Sequence, residues 1–300
     1  MKILNMSKKT FEHLEPLKLD ASVYNTEADM FLMEKKNRWN KNQSVLKKLH
    51  QDTGEIFSNK LYTVNELIEK KDEIGIEELV MPDSLAAVNN EIIGFTMPYV
   101  PNINFQQILD SNKYSLEQKV AYLKEIGVLL EKIKKAREYS RVKDFYLNDV
   151  HENNFILNTQ TNKINVVDLD SAKIGHNLTA AARYLTPVSQ LAYVPKYKKL
   201  EHSVGGCYEI TNDTEIYCYI IIIFKFFYGR NIGMLSIGDF YVYLDYLSKI
   251  GVSKELLDKL ALIYTGRSNE NPYEYLDELT KFYGKTHRNT FETVRKRKIY

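Results

Sequence analysis

The sequence predicts an α+β protein of two parts, a small strand-rich part over residues 1–100 and a larger helical part over residues 101–300. Three patterns predict it. Short apolar runs broken by polar turns fill the first hundred residues, as strands require. Val120, Leu123, Ile126, Leu130 and Ile133 then recur every three or four residues inside Leu116–Tyr139, the spacing of one helix face. Finally, Ile216–Phe227 (IYCYIIIIFKFF) is apolar throughout except for Lys225, which fits a helix buried on all sides.

The elements follow in order. Val45–His50 (VLKKLH) reads as a strand that sets Val45 and Lys47 on one face. Thr63–Lys71 (TVNELIEKK) reads as a helix capped by Thr63, with Glu66 three residues on in the capping-box position. SLAAV and EIIGFTMPYV read as two strands joined at Asn89-Asn90, because asparagine tolerates the left-handed conformation of a tight turn. After Leu116–Tyr139 comes FYLNDVHENNFILNTQTNKINVVDLDSAKIG, in which FILN and KINVVDLD flank the turn TQTN. From Asn212 onward the pattern is helical again.

Bulk properties exclude several classes. A chain of 300 residues that is 44% hydrophobic and 27% charged has ample material for a core and is ordinary in composition. A net charge of +2 gives no general attraction to nucleic acid or to a membrane. The exception is the basic stretch Lys281, Lys285, Arg288, Arg295, Lys296, Arg297 and Lys298, opposed by Glu292 and read as a solvated tail. Ile216–Phe227 is too short for a membrane span, which needs roughly 20 residues. Cys207 and Cys218 have no metal-type spacing, and MKILNMSKKTFEHLE has no apolar core for a signal peptide, so a cytoplasmic location is expected.

The chemistry concentrates at the hairpin. Asp149 and Asn154 precede its first strand and Asp168 follows its second, so strand pairing is expected to gather three oxygen-bearing side chains. Such a set suits a hard cation such as Mg2+.

Asp149-Val-His-Glu-Asn-Asn154 resembles the D-x-x-x-x-N catalytic loop of protein kinases, and Asp168-Leu-Asp170 resembles their D-F-G element. The likeness extends from Ser22 to Leu279 and implies a protein-kinase-like two-lobed fold that binds ATP and Mg2+ in a cleft. Phe95-Thr-Met97-Pro98-Tyr99-Val100 resembles the adenine-facing strand and hinge, with the Pro98 carbonyl and Val100 N–H toward the base. Val45-Leu-Lys47 resembles the strand whose valine roofs adenine and whose lysine holds the α- and β-phosphates; Lys48 is the neighbouring alternative. Glu66 is the implied partner of Lys47, with Glu69 one turn on as the alternative. Asp168 and Asn154 are the implied metal ligands and Asp149 the implied base. Asp213 resembles the buried aspartate that holds the catalytic loop, and Arg267 a structural arginine. His151 stands where many protein kinases have a phosphate-touching lysine and related small-molecule kinases often have histidine.

The pattern also departs from the family. Residues 1–50 contain no glycine, so no G-x-G-x-x-G loop precedes Lys47, and ASVYNTEADMF is the equivalent stretch. Leu147-Asn148-Asp149 replaces H-R-D, which removes the usual receptor for a phosphate on the segment Ile174–Tyr197. Three functions follow: a Ser/Thr-type protein kinase with a protein hydroxyl as acceptor, a pseudokinase serving as a binding module, and a kinase of a small molecule such as an amino sugar or alcohol.

Overall fold

A computed structural model describes residues 2–17, 28–34, 43–51, 54–139, 142–177 and 211–297. By internal contact the chain divides into two compact units. The first comprises Met1–Ile103, Ala136–Phe145 and Ile156–Thr179; the second comprises Asn104–Lys135, Tyr146–Phe155 and Ala180–Tyr300. The strand-rich unit therefore includes the later hairpin as well as the first hundred residues.

The first unit is built on a six-stranded sheet of order β1-β5-β6-β4-β3-β2, with β1 at Ile3–Met6, β2 at Glu15–Pro16, β3 at Ala28–Glu34, β4 at Gln43–Leu49, β5 at Ser84–Val88 and β6 at Glu91–Pro98. Its pairings are antiparallel except that of β1, which runs parallel to β5. Asn89 and Asn90 turn β5 into β6 with φ of 50° and 70°, the left-handed pair that a tight hairpin needs. Alternation divides the sheet's faces. Val45, Leu49, Leu85, Phe95 and Met97 pack with Val64 on one side, while Met6, Leu46, Ala86 and Ile93 pack on the other.

Helix α1 covers Lys8–Glu12, and α2 covers Glu55–Ile74. The helix expected to start at Thr63 thus begins eight residues earlier, behind Gly54, and Thr63 is not a cap. It lies in the middle of α2, buried, with its hydroxyl donating to the Asn59 carbonyl one turn back at 2.9 Å. Strands β7 (Asn102–Asn104), β8 (Phe155–Asn158) and β9 (Lys163–Val166) form a second sheet in that order. Beyond β9, the Val80 N–H donates to the Val166 carbonyl and the Val166 N–H to the Glu78 carbonyl, each at 2.9 Å, so β9 is held on both edges.

The second unit is helical. It contains α3 (Phe105–Asp110), most of α4 (Leu116–Tyr139), α5 (Asn212–Phe227), α6 (Ile237–Lys249), α7 (Lys254–Tyr264), α8 (Leu276–Lys281) and α9 (Arg288–Arg297). Helix α5 is its axis and is buried from Thr214 to Phe224. Aromatic rings fill the space around it: Phe240 stacks on Tyr264 at 3.8 Å between centroids, and Phe224 meets Tyr243 edge-on at 6.0 Å. Buried phenols find acceptors, as when the Tyr219 hydroxyl donates to the Leu123 carbonyl at 2.7 Å. Gly127 of α4 is required because a Cβ there would lie 2.3 Å from Tyr273 Cβ. Arg267 is exposed, and its backbone N–H, bonded to the Leu262 carbonyl at 2.7 Å, closes the end of α7. Among the described residues no helix is long and apolar enough to cross a membrane.

Candidate functional site

Four charged side chains meet in the first unit. Lys47, in the middle of β4, points to the side of the sheet that carries Val45 and Met97, because Val45 pairs with Met97 and Lys47 with Phe95 in the β4–β6 register. Its ammonium lies 5.9 Å from the Phe95 ring centroid. Its ionic partners are Asp168 and Asp170, the latter at 2.9 Å. Asp170 accepts a second bond on its other oxygen, from Lys60 of α2 at 3.0 Å. A carboxylate with no exposed side-chain surface is thereby held between two lysines.

Gly94 makes this approach feasible. A Cβ at Gly94 would lie 2.0 Å from the Lys47 carbonyl oxygen, so only glycine lets β6 pass so near β4. Asp168 arrives from the far end of β9 with φ of 64° and ψ of 42°, a left-handed backbone that aspartate adopts more readily than most residues. A 3-10 turn, Leu169–Ser171, follows at once and carries Asp170 inward. Asn177 then fastens this stretch to α2: its amide donates to the Thr63 hydroxyl at 2.6 Å and to the Ala172 carbonyl at 2.8 Å.

The electrostatics follow from burial and pairing. Burial by itself would lower the Lys47 pKa, but Asp168 and Asp170 outweigh it and hold the ammonium well above the usual lysine value. Burial would raise Asp170, yet Lys47 and Lys60 hold it well below the usual carboxylate range. For Asp168 burial is the largest influence and pushes the carboxyl up; Lys47 opposes it and the Asp170 charge adds to the rise. Since the Asp168 side chain keeps 38% of its surface in water, the upward push from burial is only partial.

Glu66 does not meet Lys47. It pairs with Lys70 at 2.7 Å, one turn further along α2, because with the helix starting at Glu55 it is Lys60 that reaches the Asp170 carboxylate. Lys48 faces the other way and lies 3.8 Å from Asp29, which leaves Lys47 as the lysine of this cluster. Met97 is buried against Val45 in the same core, Pro98 is exposed at the end of β6, and Val100 is half-buried with its carbonyl accepting from the Asn102 amide at 2.7 Å. The ASVYNTEADMF stretch is described only from Ala28 onward, in β3; its earlier residues, and those of Ile174–Tyr197 beyond residue 177, lie outside the described residues.

Asp149 and Asn154 belong to the second unit. Their loop is held by backbone and side chain together. The Leu147 N–H donates to the Glu215 carboxylate at 2.6 Å, and Glu215 lies in the first turn of α5 with 1% of its surface exposed. Glu215 therefore makes a loop-holding bond of the kind expected of Asp213, which lies two residues earlier on the helix and is half-buried. Glu152 pairs with Lys225, the one cation of the apolar stretch of α5. The Asn154 amide nitrogen donates to the Asp149 carbonyl at 2.9 Å, which leaves Oδ1 as the atom that could ligate a cation.

His151 ties this loop to its aspartate. Its Nδ1 accepts from the Asn153 N–H at 3.2 Å, so the ring proton is on Nε2, which lies 3.2 Å from Asp149 Oδ2 and donates to it. The Asp149 side chain retains 25% of its surface in water. Among the described residues no three His, Cys, Asp or Glu side chains cluster as a metal cage. A cation held by these residues would need an amide oxygen or the ligand's own oxygens to complete its shell, as Mg2+ on a polyphosphate does.

No family model matches the chain, and no curated protein matches it. Among solved structures it is similar to the kinase domain of Mycobacterium tuberculosis PknI, seen in the crystal structure of a double mutant. The TM-score is 0.53 at 13% identity, over 89% of this chain and 93% of that one.

Proposed function

We propose that this chain, which has a protein-kinase-like fold, is an ATP- and Mg2+-dependent phosphotransferase. The single observation that carries the reading is the convergence, from 121 residues apart, of Lys47 on the Asp168 carboxylate, the pair that the family resemblance assigns to phosphate and metal. In the first unit Lys47 would hold the α- and β-phosphates, Asp168 would ligate Mg2+, and Val45 and Met97 would pack on adenine, with the Pro98 carbonyl and Val100 N–H at its edge; in the second, Asn154 Oδ1 is the atom that the family resemblance assigns to the metal. The metal would supply charge neutralisation of the phosphoryl oxygens.

The remaining steps fall to the chain's own groups. Asp149 orients the acceptor hydroxyl and takes its proton. His151 Nε2–H donates to Asp149 Oδ2, and the ring fixes the carboxylate's rotamer. Glu215 and the Glu152–Lys225 pair keep the loop's backbone in place. Catalysis of this type consists of positioning and charge stabilisation, so the loss of one such group costs on the order of 2.7–4 kcal/mol of barrier.

A second reading has its own observation. Lys47 rests directly on Asp168, and no glycine precedes Lys47 to bring backbone amides to the phosphates. A pseudokinase that holds nucleotide weakly would keep such an ion pair in its resting state. Labelled ATP and Mg2+ with the purified chain, a generic protein acceptor and a panel of amino sugars and alcohols separates the readings. Turnover that disappears in Asp149→Asn and Asp168→Asn supports the phosphotransferase, and the acceptor that becomes labelled fixes its class. Stabilisation by Mg-ATP without turnover supports the pseudokinase, and no response to nucleotide contradicts both.

A further inference from the structure

The carboxylate at Asp170 has a lysine on each oxygen, and the second of these comes from the helix that was expected to supply a carboxylate. Lys60 sits in the second turn of α2 with 11% of its side chain exposed, 3.0 Å from Asp170 Oδ2, while Lys47 is 2.9 Å from Oδ1. One turn further along α2, Thr63 accepts from Asn177 at 2.6 Å, so the helix and the stretch after Asp168 are joined twice. Glu66, by contrast, is turned to Lys70.

We propose that Lys60 is a positioning residue for phosphate binding: it holds Asp170 so that Lys47 can leave that carboxylate for a polyphosphate. The reasoning is electrostatic. Asp170 has no exposed side-chain surface, and a buried carboxylate deprived of its cation is strongly unfavourable. If Lys47 were its sole cation, every phosphate that drew Lys47 away would expose that penalty. With Lys60 on the other oxygen, the carboxylate keeps a partner while Lys47 turns to the ligand. Lys60 itself touches no substrate; it acts through Asp170.

This rests on the reading of Lys47 and Asp168 as the phosphate-binding end, and the test separates the two. Equilibrium binding of Mg-ATP and of adenosine, which has no phosphates, is measured for wild type, Lys60→Met, Lys60→Arg, Asp170→Asn and Lys60→Met/Asp170→Asn. Lys60→Met is expected to weaken Mg-ATP about tenfold, the loss of one charge-assisted bond, with adenosine unchanged. Lys60→Arg restores Mg-ATP affinity, and on the Asp170→Asn background Lys60→Met costs little, because no buried charge is left to compensate. A merely structural lysine would weaken adenosine equally. Should Lys60→Met fail to fold, Lys60→Gln, which can still donate to Asp170 but carries no charge, is expected to show the same selective loss. Mg-ATP affinity equal to wild type in the folded variant overturns the proposal alone; wild type that ignores Mg-ATP overturns the phosphate-site reading and this proposal with it.

Discussion

Lys225→Met tests how far the candidate catalytic loop depends on one cation in an apolar helix. The Glu152 side chain is 2% exposed and faces Lys225, whose side chain is 29% exposed and also reaches Gln106 Oε1 at 3.4 Å. Methionine preserves length and helix propensity, so the change removes charge and little else. Removing one partner of a buried pair costs about 3–5 kcal/mol, because the remaining charge loses its compensation. The solvent exposure of Lys225 brings the expectation to about 2–3 kcal/mol. Urea unfolding should show the midpoint falling with an unchanged slope. Adding Glu152→Gln to Lys225→Met should recover most of the loss, since a neutral amide no longer needs the cation. A stability within about 0.5 kcal/mol of wild type for Lys225→Met, the range of an ordinary surface change, would refute the reasoning, as would a double variant as unstable as the sum of the singles.

Other outcomes follow from the same structure. Gly94→Ala puts a Cβ 2.0 Å from the Lys47 carbonyl, and the backbone cannot yield as a side chain would; the loss should be at least about 1–3 kcal/mol, read by urea unfolding, with nucleotide binding reduced alongside because Lys47 is displaced. Glu215→Gln keeps an acceptor for the Leu147 N–H and should be mild, whereas Glu215→Ala leaves that buried N–H unsatisfied at about 1–3 kcal/mol, measured by thermal unfolding. Mg-ATP binding should strengthen as pH rises from 5 to 7. Asp168 has its pKa raised toward about 6, so, with Mg2+ on that carboxylate as proposed, a proton would compete with the metal increasingly below that value; isothermal titration at three pH values checks the sign, and affinity that falls with pH would contradict it. In the unliganded protein the same raised pKa means that the folded state holds the extra proton, so this group's contribution to stability declines as pH rises from the ordinary carboxylate value near 4 through the raised one.

The parts that the sequence makes legible are those with a strong local code. Helix α4 runs over Leu116–Tyr139 as its periodicity requires, and the Asn89-Asn90 and TQTN turns close the hairpins that their residues demand. The start of α2 was obscured by a competing local signal. Thr63 followed by Glu66 imitates a capping box, while the true start at Gly54 has no side-chain cap, and the apolar positions Phe57 and Leu61, which pack on the sheet core, were the clue that the helix begins earlier. The parallel seat of β1 beside β5 has no local signature, because ILNM is four residues long and its register is decided by contacts more than 80 positions away. That Glu215 bonds the loop is a matter of helix phase, which cannot be read until the buried face of α5 is known. The Lys60–Asp170 pair spans 110 residues and joins a helix to a turn. No motif spacing encodes such a meeting, and an expectation based on a carboxylate in α2 points away from it.

Asp168 shows why that cluster is more than a set of convenient ion pairs. A left-handed backbone at a non-glycine residue costs about 1–3 kcal/mol, and φ of 64° is held here between bonded flanks. On one side β9 is bonded along both edges, to β8 and to the stretch at Glu78–Val80; on the other the 3-10 turn is fastened through Asp170 to Lys47 and Lys60, and through Asn177 to Thr63. The strain turns the chain sharply enough for two carboxylates, two residues apart, to face the same lysine while only one is fully buried. Asp170 then balances the lysines, while the Asp168 side chain stays partly in water. A glycine at position 168 would relieve the backbone strain but would also remove the carboxylate that meets Lys47, so the two effects on stability oppose each other.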